Sequence, residues 1–314
     1  MKQLFRTKRI LAILLILLLC ACGAPAAEQP PEQTPTPAVT PAPAVTPAPA
    51  EEAEVEIAAE TVATPEATLP PVPTPSPSPE PTPTPEPTPT PSPTPEPLPL
   101  EGIVIGIDPG HQRVYDPHPE PVAPGSSKTK QKVAGGCRGV NSRVYEYEVT
   151  QNVGLYLKAL LEEQGATVVI THETLDVNIS NVERAQMFNE ANVDLAIRLH
   201  CNKADKKIRG AFMLVPSESR TKYYDYNVAA ARTILDAYLK ETELPMRYKD
   251  GMTYRGDQTG FNWCTRPIIN IEMGHLSNPD DDALLSTDAF QRKMAQGLCN
   301  GILAFFAEYG KPEN

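Results

Sequence analysis

Apolar positions along this chain fall into three regimes. From residue 10 to 20 they form one nearly unbroken run, and from 23 to 99 they are scattered among prolines. From Leu100 onward short apolar blocks alternate with the three- and four-residue spacing of amphipathic helices. Residues 103–107 are an apolar run that ends in Asp108-Pro109-Gly110 and delivers His111, the pattern of a buried strand closed by a tight turn. Residues 112–143 are polar and show no period, so they are expected to be a long structureless loop forming a rim or lid over that strand's end. The spacing of Val149, Val153, Tyr156, Leu157, Leu160 and Leu161 predicts a helix over 144–164, stopped by Gly165. A buried strand follows at 166–170, a short amphipathic helix at 182–191, and a strand at 193–199 that ends in His200. A strand towards a sheet edge is expected at 210–215 and a helix at 223–238; residues 244–263 read as irregular. The strand 267–271 delivers Glu272, a loop leads into a further helix near Pro279, and residues 288–309 form the closing amphipathic helix. Strands alternating with helices predict an α/β domain, a mostly parallel twisted sheet flanked by helices.

Composition divides the chain before function is considered. Residues 1–22 place Lys2, Arg6, Lys8 and Arg9 ahead of the apolar run, as in a secretory signal, and the run is too short for a confident spanning helix. Its end, Leu19-Cys20-Ala21-Cys22, resembles a bacterial lipobox, which implies that Cys22 is lipidated; an ordinary signal peptide or an uncleaved anchor is the alternative. Each of these places the remainder outside the cytoplasm, and the first ties it to the membrane through a lipid only. Residues 23–99 hold 26 of the 36 prolines and 11 acidic residues, with no Lys or Arg. Such a segment buries no core and is expected to be a disordered, polyproline-rich tether, its Pro-poor interlude 51–64 included. At ~3.1 Å per residue, its 77 residues reach at most roughly 240 Å. One globular domain remains, residues 100–314. It is mildly acidic with no basic stripe, which argues against nucleic acid as a partner. Cys137, Cys201, Cys264 and Cys299 fit no CxxC metal spacing; two disulfides or four thiols are both compatible with the sequence.

In open α/β sheets ligands bind beyond the carboxyl ends of the strands. Three predicted strands end there in His111, His200 and Glu272, and one predicted helix begins with Glu146. Two His and a carboxylate with an open fourth position are the ligand set of a catalytic zinc site, and a further Glu is the usual base. The competing reading is that of solvated loop histidines and acids that meet a helix dipole, which applies to both Glu146 and Glu148.

The pieces IDPGH (107–111), YEYEV (145–149), RLHCN (198–202) and IEMGHLSNPDD (from Ile271) together resemble the zinc-dependent N-acetylmuramoyl-L-alanine amidases of the type 3 family, in order and separation, across 102–309. LEEQG before a strand, and ERA followed by Asn189, resemble the same framework. The resemblance implies a three-layer domain binding one Zn2+ through His111, Glu146 and His200, with Glu148 as runner-up ligand and Glu272 as the catalytic carboxylate. It implies peptidoglycan as substrate and hydrolysis of the amide joining N-acetylmuramic acid to L-alanine. Departures from the family pattern are Gln112-Arg113 for Gly-Gly, Thr171-His172 for Thr-Arg, and His275 for an aromatic. Asn202 and His275 are candidate substrate contacts, His275 alternatively a polar stand-in for a packed aromatic. His118 and His172 are expected at the surface, Arg184 in a supporting role, and Cys201 in the core. A monomer is the default. The rivals are a weakly catalytic wall-binding module, a zinc peptidase cutting within the stem peptide, and a metal-free sugar hydrolase using Asp108 and Glu272.

Overall fold

The computed structural model describes residues 97–313. The signal segment with Cys22, the interlude 51–64 and all but the last residues of the tether lie outside the described residues.

The apolar runs assemble into a six-stranded sheet. In chain order the elements are β1 (Val104–Pro109), β2 (Asp116–Pro121), β3 (Thr129–Val133), α1 (Glu146–Glu163), β4 (Thr167–Ile170), α2 (Asn181–Glu190), β5 (Leu195–Asn202), β6 (Phe212–Pro216), α3 (Tyr224–Thr242), β7 (Met252–Arg255), α4 (Thr259–Trp263), β8 (Ile268–His275), α5 (Pro279–Leu285) and α6 (Asp288–Tyr309). The sheet order is β4-β1-β5-β8-β6-β7, with β2 and β3 forming a separate hairpin. The first four strands are parallel; β6 runs antiparallel to β8 and carries β7 parallel to itself. The α/β class and the flanking helices are as the pattern predicts.

Side chains alternate across each strand, so every strand feeds two layers. Ile105 and Ile107, Leu195 to Cys201 at every second residue, and Ile269, Ile271 and Met273 face α1, α3 and α6 in the main core. The opposite face carries Ala196, Phe212, Leu214 and Ile268 against Phe188 of α2 and Phe261 of α4. Further along that second face the residues become polar: Asp108, Arg198 and Asn270 stand in register on β1, β5 and β8, and His200 pairs with Glu272 one step on. The apolar layer therefore gives way to a polar one at the carboxyl end of the strands.

Helix α1 stops where Gly165 allows it. Gly165 sits at φ +90, its N–H bonds Glu162 O (3.0 Å), and Ala166 N–H bonds Leu161 O (3.1 Å), the two bonds of a Schellman turn.

Three segments differ from expectation. Residues 112–143 are not structureless, because they contain the β2–β3 hairpin. β2 reads Asp-Pro-His-Pro-Glu-Pro, with neither apolar alternation nor a full set of N–H donors. Its neighbours' side chains hold the hairpin by its carbonyls instead: Trp263 Nε1 donates to Pro121 O (2.9 Å), Asn262 Nδ2 to Val122 O (2.9 Å), and Asn181 Nδ2 to Lys132 O (2.9 Å). Residues 244–263 contain β7 and the single-turn α4, both too short to show a period. β7 takes the sheet edge, so β6 is fully buried, and at the other edge β4 is half-buried.

Candidate metal centre

β1 leaves the sheet pressed against β5. The Gly110 N–H bonds Leu199 O at 2.8 Å, and a Cβ at Gly110 would stand 2.4 Å from that oxygen and 2.5 Å from the His200 ring. Only glycine permits the approach. The next residue, His111, turns back with φ 66, a conformation that costs a non-glycine residue about 1–2 kcal/mol. The His111 Nδ1–H donates to Ala134 O at 2.8 Å, which helps to offset that cost and fixes the ring. With the proton on Nδ1, the Nε2 lone pair points at Glu146.

Glu146 is the first residue of α1 and is 3% exposed. Its Oε2 accepts from Cys137 N–H (2.8 Å), and its Oε1 accepts from Cys201 N–H (3.0 Å). The same Oε1 lies 3.2 Å from His111 Nε2 and 3.0 Å from His200 Nδ1, and the two imidazoles meet edge-on with centroids 4.9 Å apart. All three donor atoms fall within 4.8 Å of one another. Ligands about 2.0–2.1 Å from a tetrahedral ion are separated by about 3.3 Å, so the donor set fits a zinc-sized cation. The chemistry agrees, because an imidazole lone pair facing a carboxylate oxygen across 3.2 Å requires a cation, a proton or a metal, between them. The Glu146 carboxyl lies well below its ordinary pKa: burial opposes this, but His111 and His200 outweigh it. Burial would likewise depress His111, yet Glu146 raises it above its usual value, whereas burial dominates at His200 and lowers it.

The backbone around Glu146 is held by α5. Its N-cap, Asn278, accepts from Asp280 and Asp281 N–H, and Asp282 Oδ2 accepts from Asn141 N–H (2.7 Å) and Ser142 N–H (2.9 Å). Asp282 thereby ties down the segment that carries the Cys137 N–H to Glu146. Asp281 Oδ2 accepts from Gly210 N–H (2.7 Å) and His275 N–H (3.1 Å).

Glu272 stands beside His200 on the adjacent strand, at the usual ~4.8 Å strand spacing. Burial, and then the Glu146 charge, push its carboxyl well above the ordinary range. Asn270 Nδ2 is 3.5 Å from its Oε1. His111, His200 and Glu272 open into one trough of about 560 Å³, bounded by β3 on one side and by Gln258 and Thr259 on another.

Asp108 lies beneath the trough, fully buried. Arg184 Nη1 donates to its Oδ1 (2.6 Å) and Arg198 Nε to its Oδ2 (2.7 Å). Burial works against the carboxylate, but the two guanidinium groups hold its pKa far below the usual range. It therefore has no proton to donate, and the sugar-hydrolase reading loses its acid. Arg184 also donates to Pro109 O (2.7 Å) and His111 O (3.2 Å), bracing the turn that carries His111.

The other candidates sit elsewhere. Glu148 accepts from Tyr145 N–H at 2.8 Å and caps α1, apart from the cluster. His275, a candidate substrate contact, is fully buried: its Nδ1 donates to Gly210 O (2.9 Å), its Nε2 faces Asn202 Nδ2 (3.3 Å), and it packs near Phe212. Its backbone N–H is held by Asp281 Oδ2 at 3.1 Å, and its ring is packed in the interior rather than turned to the trough. Asn202 is occupied by His275 and by Lys203 N–H (2.7 Å). Neither residue lines the trough. His172 is not at the surface. It is 5% exposed, its Nδ1 is 3.0 Å from Thr171 Oγ1, and burial followed by the Arg184 charge lowers its pKa to about 4. His118 is at the surface, Cys201 is in the core, and among the described residues Cys137, Cys201, Cys264 and Cys299 are free thiols. Arg198 and Asn270 escaped the sequence reading. Each lies two residues before a candidate, His200 or Glu272, and a period of two would have placed them on the same face.

Residues 105–304 match the family described as N-acetylmuramoyl-L-alanine amidase. An N-acetylmuramoyl-L-alanine amidase of Mycobacterium tuberculosis is 27% identical over 217 residues, covering 68% of this chain and 90% of that protein. The germination-specific N-acetylmuramoyl-L-alanine amidase of Bacillus subtilis is 28% identical over 231 residues, covering 68% of this chain and 84% of that protein. The crystal structure of an N-acetylmuramyl-L-alanine amidase from Mycobacterium smegmatis shares the fold, with a TM-score of 0.61 at 22% identity over 66% of this chain and 98% of that one.

Proposed function

The chain belongs to the N-acetylmuramoyl-L-alanine amidase family, and from that premise we propose that it is a zinc-dependent peptidoglycan hydrolase whose metal is held by His111, Glu146 and His200 and whose proton carrier is Glu272. It hydrolyses the amide between N-acetylmuramic acid and L-alanine of the stem peptide. The observation that carries the site assignment is the convergence of three donor atoms within 4.8 Å beside a fourth, acidic side chain in register with His200.

Each residue then has a task. The His111 Nε2, His200 Nδ1 and Glu146 Oε1 atoms hold the ion, and the Ala134 carbonyl and Cys137 and Cys201 N–H groups orient these ligands. When bound, zinc supplies a Lewis acid for the scissile carbonyl and lowers the pKa of water towards neutrality. Glu272 takes the proton of the attacking water on its carboxylate and then delivers it to the departing L-alanine nitrogen. One C–N bond breaks, one C–O bond forms, and the products are a lactyl carboxylate on the sugar and a free amine on the peptide. Burial, which raises the Glu272 pKa, suits a group that must carry the proton between these steps. Asn270 keeps that carboxyl on the trough side, and the Asp108 pair with Arg184 and Arg198 fixes the floor.

The sequence supports a further proposal about address. Residues 1–22 act as signal peptide and lipobox, Cys22 carries the lipid, and residues 23–99 tether a monomeric catalytic domain, 100–314, to the outer face of the membrane. A Cys22→Ser change is expected to release the protein from the membrane fraction. No helix among the described residues is long and apolar enough to cross a membrane.

The central test is mass spectrometry of the products from purified peptidoglycan, with and without a chelator. Free stem peptides beginning at L-alanine, lost on chelation and restored by zinc, are the expected result. Shortened peptides still attached to sugar would make the protein a peptidase, and binding without products would make it a wall-binding module.

A further inference from the structure

The trough continues past the metal cluster along β3. Its volume of about 560 Å³ is that of a site enclosing a multi-group ligand rather than a single amide. Its charge is unusual for this molecule. Residues 100–314 carry 24 Lys and Arg against 28 Asp and Glu, yet the trough is lined by Lys130, Lys132, Arg184 and Arg198. Three of these four cations have carboxylates of their own. Arg184 and Arg198 share Asp108, while Lys130 donates to Asp257 O (2.7 Å) with the Asp257 carboxylate 3.7 Å away. Among the described residues, Lys132 has no carboxylate within 4 Å; its carbonyl accepts from Asn181, and its charge is felt by Glu183 on α2.

Position gives that cation a meaning. Ala134, whose carbonyl touches His111, is two residues beyond Lys132, which places Lys132 about 7 Å back along β3. An extended peptide leaving the site advances at nearly the same ~3.3–3.6 Å per residue. The scissile nitrogen belongs to the first stem residue, L-alanine. Substituents of the second residue therefore come level with Lys132. We propose that the peptide half of the substrate lies along β3 and that Lys132 reads a carboxylate on the residue after L-alanine. The enzyme is then selective for stem peptides in which that carboxylate is free rather than amidated. The inference rests on the amidase reading of the site.

The test compares N-acetylmuramoyl tetrapeptides with the second-residue carboxylate free or amidated, using the full chain supplied with zinc. The expected KM is roughly fivefold lower for the free acid at similar kcat, the scale of a half-exposed ion pair. Lys132→Gln should bring the two KM values together by raising that of the acid, while Lys132→Arg keeps the preference. Calorimetric binding of the free acid and amide substrates to the zinc-loaded Glu272→Gln variant, which turns them over too slowly to interfere, should show the same ratio. Equal KM values in the wild type, or a preference that survives Lys132→Gln, would overturn the proposal while leaving the amidase reading standing. Failure of the wild type to release an L-alanine-terminated peptide from either substrate would overturn both.

Discussion

Replacing Asp108 with Asn isolates the role of the buried charge cluster beneath the site. Each Asp108–guanidinium contact, at 2.6 and 2.7 Å, is worth about 6 kcal/mol gross at an effective dielectric of 20. Desolvation of three buried groups offsets most of that. The change nevertheless leaves Arg184 and Arg198 buried without a carboxylate, and breaking such a cluster costs about 3–5 kcal/mol. At about 2–4 °C per kcal/mol for a domain of this size, the expected fall in Tm at pH 7 is roughly 6–20 °C by calorimetry. The pH dependence gives a second reading. The Asp108 pKa is far lower folded than unfolded, so its stabilisation is fully present above the unfolded value near 3.8 and is lost as pH falls below it. The wild-type advantage over Asp108→Asn should accordingly hold from pH 7 to about 4 and shrink below. A Tm within about 2 °C of wild type at pH 7, or a gap that closes already near pH 6, would refute the idea that Asp108 anchors the floor as a permanent anion.

Three more outcomes follow from the same geometry. Glu272→Gln should keep the fold and bind one zinc per chain by metal analysis while losing about 10²–10⁴ in kcat; near-normal turnover would remove Glu272 from its role. Glu146→Ala should abolish zinc binding, whereas Glu148→Ala should keep the metal and lose about 1 kcal/mol from the α1 cap in melting experiments; the reverse pattern would exchange the two assignments. His172 is lowered from 6.5 to about 4, so protonation favours the unfolded chain, and the stability it contributes is present above pH 6.5 and lost as pH falls towards 4. His172→Gln should flatten Tm against pH in that window, and an unchanged slope would count against a buried neutral imidazole.

The candidate site was legible in part because of where apolar runs end. His111, His200 and Glu272 each follow an apolar run, and the structure brings them together because β1, β5 and β8 are neighbours. The sequence does not contain that adjacency. His200 and Glu272 are 72 residues apart, and only the sheet order sets them side by side. His275 and His172 mislead for the opposite reason. A histidine's burial depends on what surrounds it: Gly210 and Asn202 enclose one, and Thr171 and the Asp108 floor enclose the other.

What the sequence determined by itself is everything governed by local periodicity. The 3.6-residue spacing placed α6 and the body of α1, α2 and α3, and the short apolar blocks placed β1, β5 and β8. Tertiary structure decided whatever has no local period. β2, with three prolines in six residues, pairs with the neighbouring β3, and its end is held through the Pro121 and Val122 carbonyls by Trp263 and Asn262, 142 and 140 residues along the chain. β7 is a strand because β6 offers it an edge. Among the four cations that line the trough, Lys132 is left without a carboxylate within 4 Å, because Asp108 and Asp257 come to the other three from distant segments. Hydrophobic periodicity is written residue by residue, but charge pairing, burial of polar groups and strand order arise between distant segments, and the chemistry of this site depends on them.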